Sequence, residues 1–280
     1  MGGKSFKDIL WKIFRFVFLG FMALISVGPL VWIVMSSFKS NKEILSSAFA
    51  LPTSLSFNGY KAALDLAPIF KFYGNSVVIS FTSTLLNILI VSMAAYVLAR
   101  YTFKGSTFIT LLLSASLLVP TSALLMPIYK IMMGIGMFDT RSGLVLVYAA
   151  LGLPTSLFVF KSYFQGIPKE LEEAAYIDGA TTNQVFYKIV RPIMKPIIST
   201  VVIKNSLWIW NDYFMPSLVL NQSNLNRTLT LYQYSFRTEN STNFTIVFAV
   251  MLLSILPIFI VYCLFQKQIV SGMMEGAVKG

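Results

Sequence analysis

Histidine is absent from this 280-residue sequence, and cysteine occurs once, at Cys263. The first absence excludes a histidine general base, a histidine metal site and a Ser–His–Asp triad. The second excludes a disulfide within the chain. Charge is also scarce, at 12% of residues against 56% hydrophobic, and mean hydropathy is +0.73. A soluble domain carries about 25% charged residues, so the bulk of this chain is expected in lipid. No Gly-x-x-x-x-Gly-Lys-[Ser/Thr] loop is present, and ATP chemistry would have to come from another polypeptide. The few charges inside apolar runs form no recognisable catalytic set, which disfavours an enzyme.

Long apolar runs are what the sequence has in quantity. Six can be marked, at 14–38, 75–99, 106–129, 143–163, 193–219 and 244–265. Each reaches the roughly 20 residues that a helix needs to cross about 30 Å of hydrocarbon. A helix satisfies its own backbone, and period-2 strands are missing, so the expected fold is an all-α membrane protein of six transmembrane helices. The first run follows Lys4, Lys7, Lys12 and Arg15 but is too long for a signal-peptide core, and reads as a retained helix. With the amino terminus in the cytoplasm, thirteen basic residues fall inside and eight outside. That bias favours both termini cytoplasmic. The net charge of +11 then reflects orientation and anionic lipid headgroups, with no need for a nucleic-acid partner.

Three regions are expected. Residues 1–70 hold the amino-terminal tail, first helix and an external segment; 71–267 a core with a cytoplasmic loop at 164–192; and 268–280 a cytoplasmic tail. The external stretch 39–74, with Pro52, Gly59, Pro68 and Gly74, reads as short helices and turns. It could seal the outer mouth, touch an external partner or merely connect. Residues 220–243, rich in Asn, Ser and Thr, read as an external loop. No inverted pair of broken helices, the mark of many secondary transporters, is visible.

The polar insert IPKELEEAAYIDGATTNQVFYKIVRP at 167–192 is the most informative segment. Ile167-Pro168 is expected to open a helix, with Glu170, Glu172 and Glu173 favoured by the dipole of its early turns. Leu171, Ala174, Ala175 and Asp178 follow i, i+3, i+4, i+7 spacing, giving a small-residue face that a partner can approach closely. Asp178-Gly179 should end the helix, with Gly179 accepting a left-handed backbone. Thr181 and Gln184 have capping-box spacing for a second helix, whose apolar face is Val185, Phe186, Ile189 and Val190. Pro192 begins the next membrane helix. Spacing alone leaves two readings: a plug for a protein socket, or an amphipathic loop resting on the bilayer.

The string as a whole resembles the coupling loop of binding-protein-dependent ABC importer permeases, of the carbohydrate, maltose-transporter type. Other stretches resemble the same family. These are Asn75-Ser76, Ala94-Ala95-Tyr96, Ala99–Gly105, Pro127-Ile128-Tyr129, Asp139-Thr140, Trp210-Asn211-Asp212-Tyr213 and the ending Glu275–Gly280. Arg191 departs from the pattern, standing where that family usually has Leu. The resemblance implies a type I importer permease, with a five-helix core plus one amino-terminal helix. It would work in a bacterial or archaeal plasma membrane beside a second homologous permease, two ATPase subunits holding ATP and Mg, and an external sugar-binding protein. It places Glu173, Ala174, Ala175, Asp178, Gly179, Ile189 and Pro192 at the ATPase, with Gly276, Val278 and Lys279 of the tail at the same interface. The alternatives are a permease for another solute or an ATPase-independent channel or scaffold.

Charges inside a span are costly and mark candidate sites. In the fifth run Lys204, Trp208 and Asn211 share one helical stripe, and Asn205, Trp208 and Asp212 another. Amide, charge and indole suit a sugar, which needs hydrogen bonds and a stacking surface. A polar clamp between helices explains the same residues. Asn87, Tyr96 and Tyr148 are weaker candidates, and Lys204 hints at an acidic sugar or a side chain reaching for the cytoplasmic surface.

Overall fold

A computed structural model describes residues 6–220, 225–239 and 243–277, all helix, turn and connecting segment with no strand among them. Three spans are long and apolar enough to cross a bilayer: Leu10–Ser36, Ile69–Arg100 and Phe244–Cys263. Two more runs are bent. Ser106–Ser116 meets Thr121–Gly134 at 100°, and Arg141–Leu151 meets Leu153–Gln165 at 46°. Counting each bent pair as one span gives up to five candidate spans among the described residues, by length and composition. Pro120 lies in the first break, and its missing N–H and fixed φ interrupt the helix there. Gly152 and Pro154 restart the chain at the second. The run 193–219 is likewise interrupted. It forms a 17-residue helix, Lys195–Asn211, then a break at Asp212-Tyr213 and a short helix, Phe214–Val219. At 1.5 Å per residue the longer piece spans about 26 Å.

Contacts divide the chain into two compact units, residues 1–69 with 233–257, and 70–232 with 258–280. In the first, the external stretch is folded rather than merely connecting. Ser40 and Glu43 form a reciprocal capping box that starts the helix Asn41–Ser46, and Glu43 also accepts from the Thr53 backbone and hydroxyl. Lys39 is 1% exposed, with Nζ donating to the carbonyls of Ser47 and Ala48. Trp32 donates to the Ala48 carbonyl and sits edge-on to Phe248, ring centroids 5.0 Å apart. Gly59 lets the helix Asn58–Leu66 approach the last helix, because a Cβ there would meet the Thr245 carbonyl oxygen at 2.5 Å.

The second unit has two apolar clusters. One joins Ile79, Leu144, Tyr148, Ile209, Met215 and Leu231. The other joins Val91, Tyr96, Phe160, Phe164, Ala175, Val185 and Val201, and therefore includes the polar insert. Residues 220–243 are not simply a loop, since Leu229–Glu239 is helical. The Thr228 hydroxyl accepts from the Leu231 amide, and Leu229, Leu231 and Tyr232 are buried. Apolar burial thus overrides the polar composition. Asn75 and Ser76 hold the start of this segment, Asn75 donating to the Leu225 and Arg227 carbonyls and Ser76 accepting from the Leu229 amide.

Candidate functional site

The insert is a helix–turn–helix. Its first helix is Glu170–Ile177, starting two residues after Pro168 rather than at it. Asp178 caps it, and Gly179 follows at φ +83°, with the Ala180 amide donating to the Ala175 carbonyl at 2.9 Å. The Thr181–Gln184 capping box forms in both directions. The second helix is Thr182–Val185, continued by a π-helical turn, Phe186–Val190, then Arg191–Ile193. Val185 and Val190 are buried, and Phe186 and Ile189 pack half-buried beside them.

The face expected from spacing is divided. Leu171, Glu173, Ala174, Ile177, Asp178, Gly179 and Pro192 are exposed, whereas Ala175 turns into the apolar cluster with only 8% exposure. Glu172, three residues before Ala175, points the same way. Its carboxylate accepts from Arg100 Nε at 2.7 Å and from the Tyr96 hydroxyl at 2.7 Å, while Arg100 also donates to the Ile167 carbonyl at 3.0 Å. This is the ion pair found among the described residues, and both side chains are buried, at 6% and 8% exposure. The pair fastens the insert to the end of the Ile69–Arg100 helix. Sequence reasoning grouped Glu172 with the helix-dipole acids; its signal was the i, i+3 relation to Ala175 and the Tyr96–Arg100 spacing of i, i+4. A second polar contact, Tyr101 to Tyr176 at 3.2 Å between hydroxyl oxygens, lies beside it.

In the Lys195–Asn211 helix the two candidate stripes separate. Asn205 is 2% exposed and donates to Asn87 Oδ1 at 3.1 Å and Ser156 Oγ at 3.3 Å. Asn87 in turn donates to the Ala149 carbonyl. This is the clamp between helices. Asp212 accepts from the Tyr148 hydroxyl at 2.9 Å and from the Phe214 amide at 2.9 Å, so it organises the break that follows the helix. Lys204, Trp208 and Asn211 stay on an open face. Lys204 Nζ donates to Thr155 Oγ1 at 2.7 Å, Trp208 sits edge-on to Tyr148, and Asn211 donates to the Leu207 carbonyl. Gly276 falls in the last helix, Phe244–Ala277; Val278 and Lys279 lie outside the described residues.

An apolar helical chain with interrupted spans and a latched polar insert has the build of a transport permease. Residues 87–274 match the family described as binding-protein-dependent transport system inner membrane component, and the chain belongs to that family. It is 35% identical over 275 residues to the multiple sugar-binding transport system permease protein MsmG of Streptococcus mutans, covering 97% of this chain and 98% of that one. It is 34% identical over 255 residues to the diacetylchitobiose uptake system permease protein NgcG of Streptomyces coelicolor, covering 91% and 84%. A solved bacterial ABC transporter that imports the acidic polysaccharide alginate contains a chain of the same fold. The TM-score is 0.83 at 24% identity, over 95% of this chain and 99% of that one.

Proposed function

We propose that this chain is a transmembrane permease subunit of an ATP-driven, binding-protein-dependent importer of sugars, most naturally oligosaccharides. It forms half of the pathway beside a second homologous permease, with two ATPase subunits that bind ATP and Mg and an external sugar-binding protein. The observation that carries the reading is the latched insert. Its exposed side offers Glu173, Ala174, Asp178 and Gly179 to a cytoplasmic partner, while Glu172, Ala175 and Val185 tie its other side to the membrane helices. Closure of the ATPase dimer would move the insert as a body, and the Arg100 attachment would pass that movement into the Ile69–Arg100 helix. Ile189, Pro192 and the tail residues Gly276, Val278 and Lys279 complete the ATPase interface in this account. Ala175 contributes by letting the first helix seat closely on the core.

The sugar assignment is supported by the names of the relatives. Lys204, Trp208 and Asn211 form the face proposed to line the pathway, offering an ammonium, an indole surface and an amide. Asn205 and Asp212 hold that face in place from behind. Both termini are placed in the cytoplasm, with Lys195–Val219 as the remaining crossing.

The test is uptake into proteoliposomes containing the purified complex, with ATP inside and binding protein plus labelled solutes outside. ATP-dependent accumulation of an oligosaccharide is expected. Accumulation of an amino acid, peptide or ion instead would replace the sugar assignment. Downhill flux without nucleotide would replace the importer by a channel.

A further inference from the structure

A cleft of about 380 Å³ opens between the Ile69–Arg100 and Lys195–Asn211 helices, on a side of the latter that the proposed pathway does not use. Its walls include Leu85 and Leu89 from one helix and Ile198 and Val202 from the other. Six residues separate Ile198 from Lys204 and Val202 from Trp208. At about 100° per residue, each cleft residue lies about 120° around the helix from its pathway counterpart. The cleft is mainly apolar, with the hydroxyl residues Thr84, Ser92 and Ser206 also in its lining, and it becomes cationic at one end, where Tyr187 and Arg191 line it. The π-helical turn Phe186–Val190 sits at this mouth and ends immediately before Arg191. Arg191 is exposed and has no acidic partner among the described residues. Lys188 and Lys195, one turn to either side, are exposed as well.

An unpaired guanidinium flanked by two lysines, with a tyrosine at the mouth of an apolar slot, has the chemistry of an anionic amphiphile site. Tyrosine and arginine are at home at the headgroup level, and basic pockets between membrane helices collect acidic headgroups. A second membrane helix would fill the apolar slot equally well but would leave Arg191, the cation that lines it, without a counter-charge. A diester phosphate with acyl chains satisfies both parts. We infer that this cleft is a binding site for an anionic phospholipid, with an acyl chain between Leu85, Leu89, Ile198 and Val202 and the phosphate at Arg191. Arg191 is assigned to neither the proposed pathway nor the proposed ATPase interface, so its cation is one the transport reading does not use.

The test uses the complex purified in mild detergent from its own membrane, incubated with phosphatidylglycerol or phosphatidylcholine of identical acyl chains. Retained lipid is then counted by native mass spectrometry. Arg191→Leu should lower retained phosphatidylglycerol about fivefold, the effect expected of one basic residue at an anionic surface, and leave phosphatidylcholine unchanged. Arg191→Lys should keep most of the binding. In the otherwise unaltered complex, benzoylphenylalanine in place of Leu89 should photo-crosslink to phospholipid. Equal retention in Arg191→Leu, or equal loss of both lipids, overturns the site. Crosslinking of position 89 into another permease chain does so too, since it makes the cleft a subunit contact. Displacement of the lipid by inorganic phosphate would assign the cation to a free anion and likewise overturn it.

Discussion

Removing Arg100 should loosen the insert far more than removing both members of its ion pair. In the native chain Glu172 is buried, with one oxygen on Arg100 Nε and the other on the Tyr96 hydroxyl, each at 2.7 Å. Arg100→Met leaves that carboxylate in an apolar pocket with only the phenol, and stranding one partner of a buried pair costs about 3–5 kcal/mol. The substitution also removes the donor to the Ile167 carbonyl. Glu172→Gln keeps the shape and a neutral hydrogen bond, and should cost about 1.5–3 kcal/mol, the range for a hydrogen bond to a charged group. The pair Arg100→Met with Glu172→Leu removes both charges and should recover most of the loss, because apolar replacement of a buried pair is often near neutral. Hydrogen exchange of peptides covering 164–180 in the purified complex reads the difference. At about 1.4 kcal/mol per decade, Arg100→Met should speed exchange of this segment by about a hundredfold or more. If its exchange changes by less than about fivefold, or if the double variant is as loose as Arg100→Met, the latch is not what holds the insert.

Other changes act through backbone and capping. At Gly179, φ is +83° and an added Cβ meets nothing within 4 Å, so Gly179→Ala costs about 1–2 kcal/mol through conformation alone. Gly179→Val adds branching and should weaken ATPase co-purification while membrane insertion stays intact; unchanged transport and co-purification in Gly179→Val would remove its role. A Cβ at Gly143 would sit 2.2 Å from the Met137 carbonyl oxygen. Gly143→Ala should therefore lower the thermal midpoint in detergent, by a loss of about 1–3 kcal/mol, and an unchanged midpoint would contradict the packing. Hydrogen bonds from the Thr53 hydroxyl, then from the Ser40 amide and hydroxyl, pull the Glu43 carboxyl down from 4.5 to about 2. A depressed carboxylate stabilises the fold above its unfolded pKa, and that contribution disappears as pH falls through about 2. A carbon-detected titration of Glu43 should give a midpoint near 2; a midpoint above about 4, the ordinary glutamate range, would mean the capping box is not formed in solution.

Local chemistry made part of this molecule legible from sequence. The Gly179 turn and the Thr181–Gln184 box are contained within a few residues, and both form as spacing requires. Apolar runs likewise announced helices. What spacing could not supply was direction across distance. Glu172 and Arg100 are 72 positions apart, and nothing in the insert alone says which of its three early acids turns inward. The same gap hid the partition of Ala174 and Ala175, adjacent in sequence yet one exposed and the other buried in the apolar cluster. Composition also misled where tertiary packing decided. The Asn- and Ser-rich 220–243 stretch contains the helix Leu229–Glu239, seated by Leu229 and Leu231. Asn205 and Lys204 are neighbours with equally polar signals, but one is sunk into Asn87 and Ser156 while the other remains open. The break after Asn211 needed the Tyr148–Asp212 contact, again between distant segments.

In the proposed function, the exposed side of the 164–192 insert docks on an ATPase. The direct measurement is photo-crosslinking from Ile177, 86% exposed at the end of the first insert helix, with benzoylphenylalanine at that position in the native membrane. The expected result is a crosslinked product containing an ATP-binding subunit, with a yield that changes when nucleotide is added. Crosslinks confined to lipid, with the ATPase present in the same membrane, would contradict it and return the insert to a surface-resting loop.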